Sequence, residues 1–166
     1  GGRRAHPPKV DSMINTRKIN KKEMEAALRS ALSATANEKM VSAKYETLNG
    51  KKISELPIVV ESKILSLKTK ELISSLKKIL GESLFEVTLK KKKVRSGKGK
   101  GRGRKYKRTA GILFVIGNSE KTKNGIVDVK NAKGLNVTDL AEGGVGRLTI
   151  YTEEAIKNLG ERIKWI

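Results

Sequence analysis

The chain has 166 residues, with 37 Lys and Arg against 17 Asp and Glu, a formal charge of +20, a single histidine and no cysteine. This length fits one domain carrying extended arms. The composition excludes disulfides, thiolate metal ligands and a cysteine nucleophile, argues against a histidine-built metal cluster, and offers no apolar run approaching the ~18 residues of a membrane span. The sequence opens on Gly1 rather than methionine, so a processed or incomplete chain is expected. No apolar stretch follows the first basic residues, and a signal peptide is not expected.

In chain order, residues 1–18 read as an extended basic arm, and Pro7-Pro8 stiffen it as a polyproline-like strut. Residues 19–166 read as the globular domain. Asn20 and Glu23 form a capping box for a helix over 21–36, with Met24, Leu28, Ala31, Leu32 and Thr35 on its inner face. Residues 37–56 read as polar and irregular, with an Asn49-Gly50 turn. Pro57–Val60 is a short strand, apolar on both faces as in a covered parallel sheet. A helix follows over 69–80 with Thr69 as N-cap, Leu72, Ile73, Leu76, Ile79 and Leu80 inward, and Gly81 as its stop. Leu84–Leu89 alternates weakly and reads as a strand leading into a basic loop at 90–108.

After the loop, Ile112–Ile116 is the strongest strand signal in the chain. A polar stretch over 118–125, compatible with helix, precedes a candidate strand at Ile126–Val129. A loop or helical turn at 135–141 runs to Gly143-Gly144. Arg147–Tyr151 reads as a further strand, and Thr152 caps a last helix over 153–163. Glu153 and Glu154 suit the positive end of that helix, with Ile156, Leu159 and Ile163 on its buried side. Short apolar strands alternating with amphipathic helices predict an α/β fold with a mostly parallel sheet flanked by helices.

Charge and apolarity are segregated. Residues 1–22 and 90–108 together carry 18 of the +20 charges but only 7 of the 61 apolar residues. Segments so composed cannot offset their chain entropy by burial, so the expectation is a nearly neutral globule with two unstructured cationic limbs. The candidate contact residues are Arg3, Arg4, His6 and Lys9 in the arm. In the loop they are Lys90, Lys91, Lys92, Lys93, Arg95, Lys98, Lys100, Arg102, Arg104, Lys105, Tyr106, Lys107 and Arg108. Such a density of like charge is relieved by a polyanion, through phosphate contacts and counterion release. Gly97, Gly99, Gly101 and Gly103 let the backbone approach phosphates closely. Tyr106 has two readings: it stacks on an unpaired base or a sugar, or it packs back on the body where the loop re-enters the fold.

Catalytic chemistry finds little footing. Glycine at every second position from Gly97 to Gly103 matches neither G-x-G-x-x-G nor the P-loop pattern, and Gly143-Gly144-Val145-Gly146 precedes a strand instead of following one. His6 has no positioned partner for general base work. The expectation is therefore no enzyme and no cofactor. Two rivals keep the basic segments in use. One is an RNA-modifying or nucleotide-dependent α/β enzyme with a basic RNA clamp and a cofactor pocket after Ile116. The other is a chromatin-like DNA binder.

Four strings together resemble one family: Gly2–Lys9 (GRRAHPPK), Ala27–Thr35 (ALRSALSAT), Lys93–Tyr106 (KVRSGKGKGRGRKY) and Gly143–Glu153 (GGVGRLTIYTE). In this order, and spanning the chain nearly end to end, they resemble the family of the fourth protein of the large ribosomal subunit, ribosomal protein L-four, of archaeal and eukaryotic type. The resemblance implies a Rossmann-like domain on the outer surface of that subunit, with extensions threading into its ribosomal RNA. It also implies a structural and assembly role in the cytoplasmic ribosome, next to other ribosomal proteins, without catalysis or cofactor. Arg3, Arg4, His6 and Lys9 would lie in an arm returning from the ribosomal interior, and the Lys93–Tyr106 string would form a Gly-rich rRNA contact. Two departures stand out. Val145 occupies a place where the family usually has proline. The family also has a strand, a helix and a long tunnel-reaching loop ahead of the point matching Gly1, so the tunnel-lining role falls on no residue here.

Overall fold

The alternation around Ile112–Ile116 organises the whole molecule. In the computed structural model, which describes residues 1–14, 18–48, 53, 56–89, 91–122 and 125–164, Ile112, Phe114 and Ile116 point into one core and Leu113 and Val115 into another. A strand buried on both sides must be covered by helices on both sides, and the result is a three-layer α/β/α sandwich.

Six helices and six strands frame it among the described residues. The helices are α1 (Val10–Met13), α2 (Lys21–Thr35), α3 (Glu38–Lys44), α4 (Thr69–Thr88), α5 (Val137–Leu140) and α6 (Glu153–Lys164). The strands are β1 (Ile58–Val60), β2 (Lys92–Val94), β3 (Tyr106–Arg108), β4 (Leu113–Ile116), β5 (Asp128–Asn131) and β6 (Thr149–Thr152). Four of them form an all-parallel sheet in the order β1-β6-β4-β5, and β2 and β3 form a separate antiparallel ribbon. One face of the sheet packs under α3 and α4, where Val41, Leu72, Leu76 and Leu80 meet Phe114, Ile116 and Ile150. The other packs under α2, α5 and α6, where Leu28, Ala31, Leu140, Ala155 and Leu159 meet Leu113, Val115 and Tyr151. A buried hydrogen bond of 2.7 Å between the Thr35 and Tyr151 hydroxyls fixes α2 on that second face.

Several expectations are corrected. The arm is not extended throughout, because beyond the prolines one helical turn forms at Val10–Met13, held by the Ser12 hydroxyl on the Lys9 carbonyl. Asn20 caps α2 by accepting from the Lys22 N–H, and Met24 on the predicted inner face is exposed. The stretch read as irregular contains α3, capped by Asn37, and a 3-10 turn at Glu46–Leu48. With Val41 as its one buried residue, α3 carries no periodic signal to read. The predicted Asn49-Gly50 turn lies outside the described residues. Thr69 is the first helical residue of α4, not its cap, and the Glu71 carboxylate instead accepts from the Lys68 N–H.

Gly81 breaks the helical dihedrals, with φ 68° and ψ 173°, yet helix resumes to Thr88. Leu84–Leu89 is therefore the end of α4 and not a strand; Leu84, Phe85 and Thr88 face the body at helical spacing. β5 starts two residues later than predicted, and the described part of 118–125 is not helical. In α6, Ala155 and Leu159 face inward while Ile156 is exposed. Val59 is exposed as well, since β1 is an edge strand. The predicted Thr152 cap is present, its hydroxyl accepting from the Ala155 N–H at 3.2 Å.

Candidate nucleic-acid interface

The basic loop is not an unstructured limb. Lys92 pairs with Arg108, Lys93 with Lys107 and Val94 with Tyr106 across β2 and β3. The Arg95 N–H extends the ladder by donating to the Lys105 carbonyl at 2.9 Å. At the tip a 3-10 turn, Lys98–Gly101, is closed by the Arg102 and Arg104 N–H groups, both on the Gly99 carbonyl. Apolar burial does not hold this hairpin together, since both strands are exposed along their length. Backbone pairing does, which is why a composition argument about burial missed it.

The root of the hairpin is anchored in the body. Lys91 and Thr109 exchange two hydrogen bonds there, and the Ile112 N–H donates to the Thr88 carbonyl at the end of α4. Arg147 does the rest. It is 1% exposed and bonds the carbonyls of Ala110, Gly111 and Asp139 and the carboxylates of Asp128 (2.5 Å) and Glu142 (3.0 Å). One guanidinium thus ties the returning hairpin strand to β5, to α5 and to the glycine-rich turn before β6. Beside it the Lys44 ammonium donates to the Glu142 and Gly144 carbonyls at 2.8 and 2.7 Å. Burial, with the neighbouring Arg147 charge, lowers Lys44 to about 8, against an upward pull from Glu142. Gly146 has φ +82°, and a Cβ there would sit 2.6 Å from the Met40 carbonyl oxygen, so this turn requires glycine. Val145, in the same turn, is exposed.

The placement of the predicted contact residues follows. Lys91, Lys92, Lys93, Arg95, Lys98, Lys100, Arg102, Arg104, Lys105, Lys107 and Arg108 are all exposed on the hairpin or its root, and Lys90 lies outside the described residues. Among the described residues, only Lys91 of these cations pairs with a carboxylate, Glu86 at 3.5 Å. Tyr106 does not pack back on the body. The residue is 44% exposed, with the Lys92 and Lys105 ammonium groups 3.8 and 5.7 Å from its ring centre. Arg3, Arg4, His6 and Lys9 are exposed on the arm, which no hydrogen bond or ion pair joins to the hairpin among the described residues. Sequence reasoning missed Lys44 and Arg147; the one available signal was a lone arginine two residues ahead of β6.

The opposite end of the sheet is where a nucleotide-dependent α/β enzyme would bind its cofactor. From β4 the chain runs out to edge strand β5 and then returns across β4 to lay down β6, so the switch point lies between Gly117 and Thr152. There the Glu120 carboxylate accepts from the Gly117 N–H and the Thr152 hydroxyl, each at 2.6 Å, and from the Ser62 hydroxyl. Burial pushes Glu120 up, but these bonds from Ser62, Thr152 and Gly117 outweigh it and leave the carboxyl below its ordinary value. Glu154, on the first turn of α6, accepts from Ser119 at 2.5 Å. The Ser62, Gly117, Ser119 and Thr152 donors are thus engaged by the chain's own carboxylates, whose charge repels a phosphate.

Residues 1–162 match the sequence pattern of the ribosomal protein L4/L1 family. The chain belongs to that family. Among similar proteins, the large ribosomal subunit protein uL4 of Methanocaldococcus jannaschii is 45% identical over 99% of this chain and 66% of its own length. Those of Methanosphaera stadtmanae and Archaeoglobus fulgidus are 43% and 41% identical, each over 97% of this chain and 64% and 65% of their own lengths. The chain thus spans just under two thirds of these L4/L1 relatives. The match takes in the arm, the hairpin and the Gly143–Glu153 string together.

Proposed function

We propose that this chain is a structural component of the large ribosomal subunit in the cytoplasm, binding ribosomal RNA through the arm (1–18) and the basic segment 90–108 that contains the hairpin, and supporting subunit assembly and translation beside neighbouring ribosomal proteins. The observation that carries the reading is the hairpin itself. Eleven described cations stand exposed on it or at its root with one acidic partner between them, in a chain of the L4/L1 family. Phosphate contacts supply most of the affinity, and RNA shape with a few stacked or edge-bonded bases supplies selectivity.

Native purification followed by sedimentation tests this directly: the chain is expected in the large-subunit fraction, and recovery solely as free protein would contradict the proposal. Competition adds a second readout, since folded rRNA should displace bound RNA far better than duplex DNA, whereas equal displacement favours the DNA-binder reading. The enzyme reading predicts thermal stabilisation by common nucleotides or methyl donors. With Glu120 and Glu154 in the crevice, no such shift is expected.

A further inference from the structure

Side chains directly opposite one another in an antiparallel pair, and those two apart along a strand, share a face. The hairpin register therefore sorts its residues. One face carries Lys93, Arg95, Lys105 and Lys107, all cationic. Three of these, Lys93, Arg95 and Lys107, also line an open cup of about 490 Å³ with Arg104, Val94 and the backbone of Gly97 and Gly99. The other face carries Lys92 and Arg108 around an apolar pair, Val94 and Tyr106, 50% and 44% exposed. A surface meant only for phosphates gains nothing from an exposed valine and tyrosine set opposite each other in the most cationic segment of the chain. The Lys92 and Lys105 ammonium groups lie 3.8 and 5.7 Å from the centre of the tyrosine ring. The part of the tyrosine left exposed, beside the exposed valine, is an apolar platform flanked by positive charge, which suits a nucleobase still attached to its phosphates.

We infer that the hairpin is a two-faced RNA reader: the Lys93/Arg95/Lys105/Lys107 face follows the phosphates of a paired stem while Tyr106, on the Val94 face, stacks on an unpaired nucleotide beside that stem. The preferred ligand class is thus a stem interrupted by a bulge or bordered by a loop, not a continuous duplex. This rests on the RNA-binding reading above and adds a division of labour within the site.

The test compares the binding of the full chain to a short, fully paired RNA stem and to the same stem bearing one unpaired purine. The wild type is expected to favour the bulged stem by roughly tenfold, the scale of one base–aromatic stack. Tyr106→Leu keeps an apolar partner for Val94 but cannot stack, and should lose that preference with an unchanged salt dependence. Tyr106→Phe should retain it. Replacing Lys93, Arg95 and Lys107 with Gln should weaken both ligands and lower the salt slope by about 2 to 3 on a log–log plot, while leaving the ratio between them. Equal wild-type affinity for the two stems, or a preference that survives Tyr106→Leu, overturns the two-faced reading and leaves RNA binding intact. Failure to bind either stem overturns RNA binding itself.

Discussion

Arg147 shows how much one side chain decides here. A guanidinium is costly to bury, and it is tolerated at 1% exposure because five acceptors surround it. Arg147→Met keeps the volume but leaves the Ala110, Gly111 and Asp139 carbonyls without that donor, and should cost about 3 kcal/mol or more in urea unfolding. A loss below about 1 kcal/mol would show that the hairpin root does not depend on it. Glu120 makes a pH prediction at the same scale. Its carboxyl is held below 4.5 in the folded chain, so its stabilisation is present above that value and is lost as pH falls through the folded one. Glu120→Gln should flatten the acid limb of the melting temperature against pH, and an unchanged limb would place acid sensitivity elsewhere.

The hairpin and α4 teach different things at the scale of elements. Because the tip hangs on its own backbone bonds, replacing Lys98, Lys100, Arg102 and Arg104 with Ser should weaken RNA binding without unfolding the body. Unchanged far-ultraviolet circular dichroism alongside a large affinity loss is the expected pair of results, and lost helical signal would make the tip structural. What was legible follows the same physics. β4, β6 and the capped α6 carry dense local signals, a doubly buried apolar run or a hydroxyl before two glutamates, and they stand within two residues of their predicted places. α4 ran past its expected stop because Gly81 can take φ 68° where other residues resist, letting the chain kink and resume helix toward the hairpin. The charged residues of the site could be read from composition, but their ordering into two faces could not. That ordering depends on a cross-strand register set by backbone pairing, and it is anchored by Arg147 and Lys44, which lie far from the loop in sequence.

Across the protein, charge and apolar burial occupy different segments. The two apolar cores contain no described residue of 1–18 or 90–108, and those two segments carry 16 of the +20 charges. The two ends of the parallel sheet then differ in kind, with self-satisfied carboxylates at the switch point and an anchored cationic ribbon at the other. On the proposed function, affinity comes from neutralising RNA phosphates. The most direct measurement is the binding constant for large-subunit rRNA against salt concentration, and if about eight phosphates are neutralised the log–log slope should lie near −6 to −7. A slope shallower than about −2 would contradict the account, because so few released counterions cannot explain so much concentrated charge.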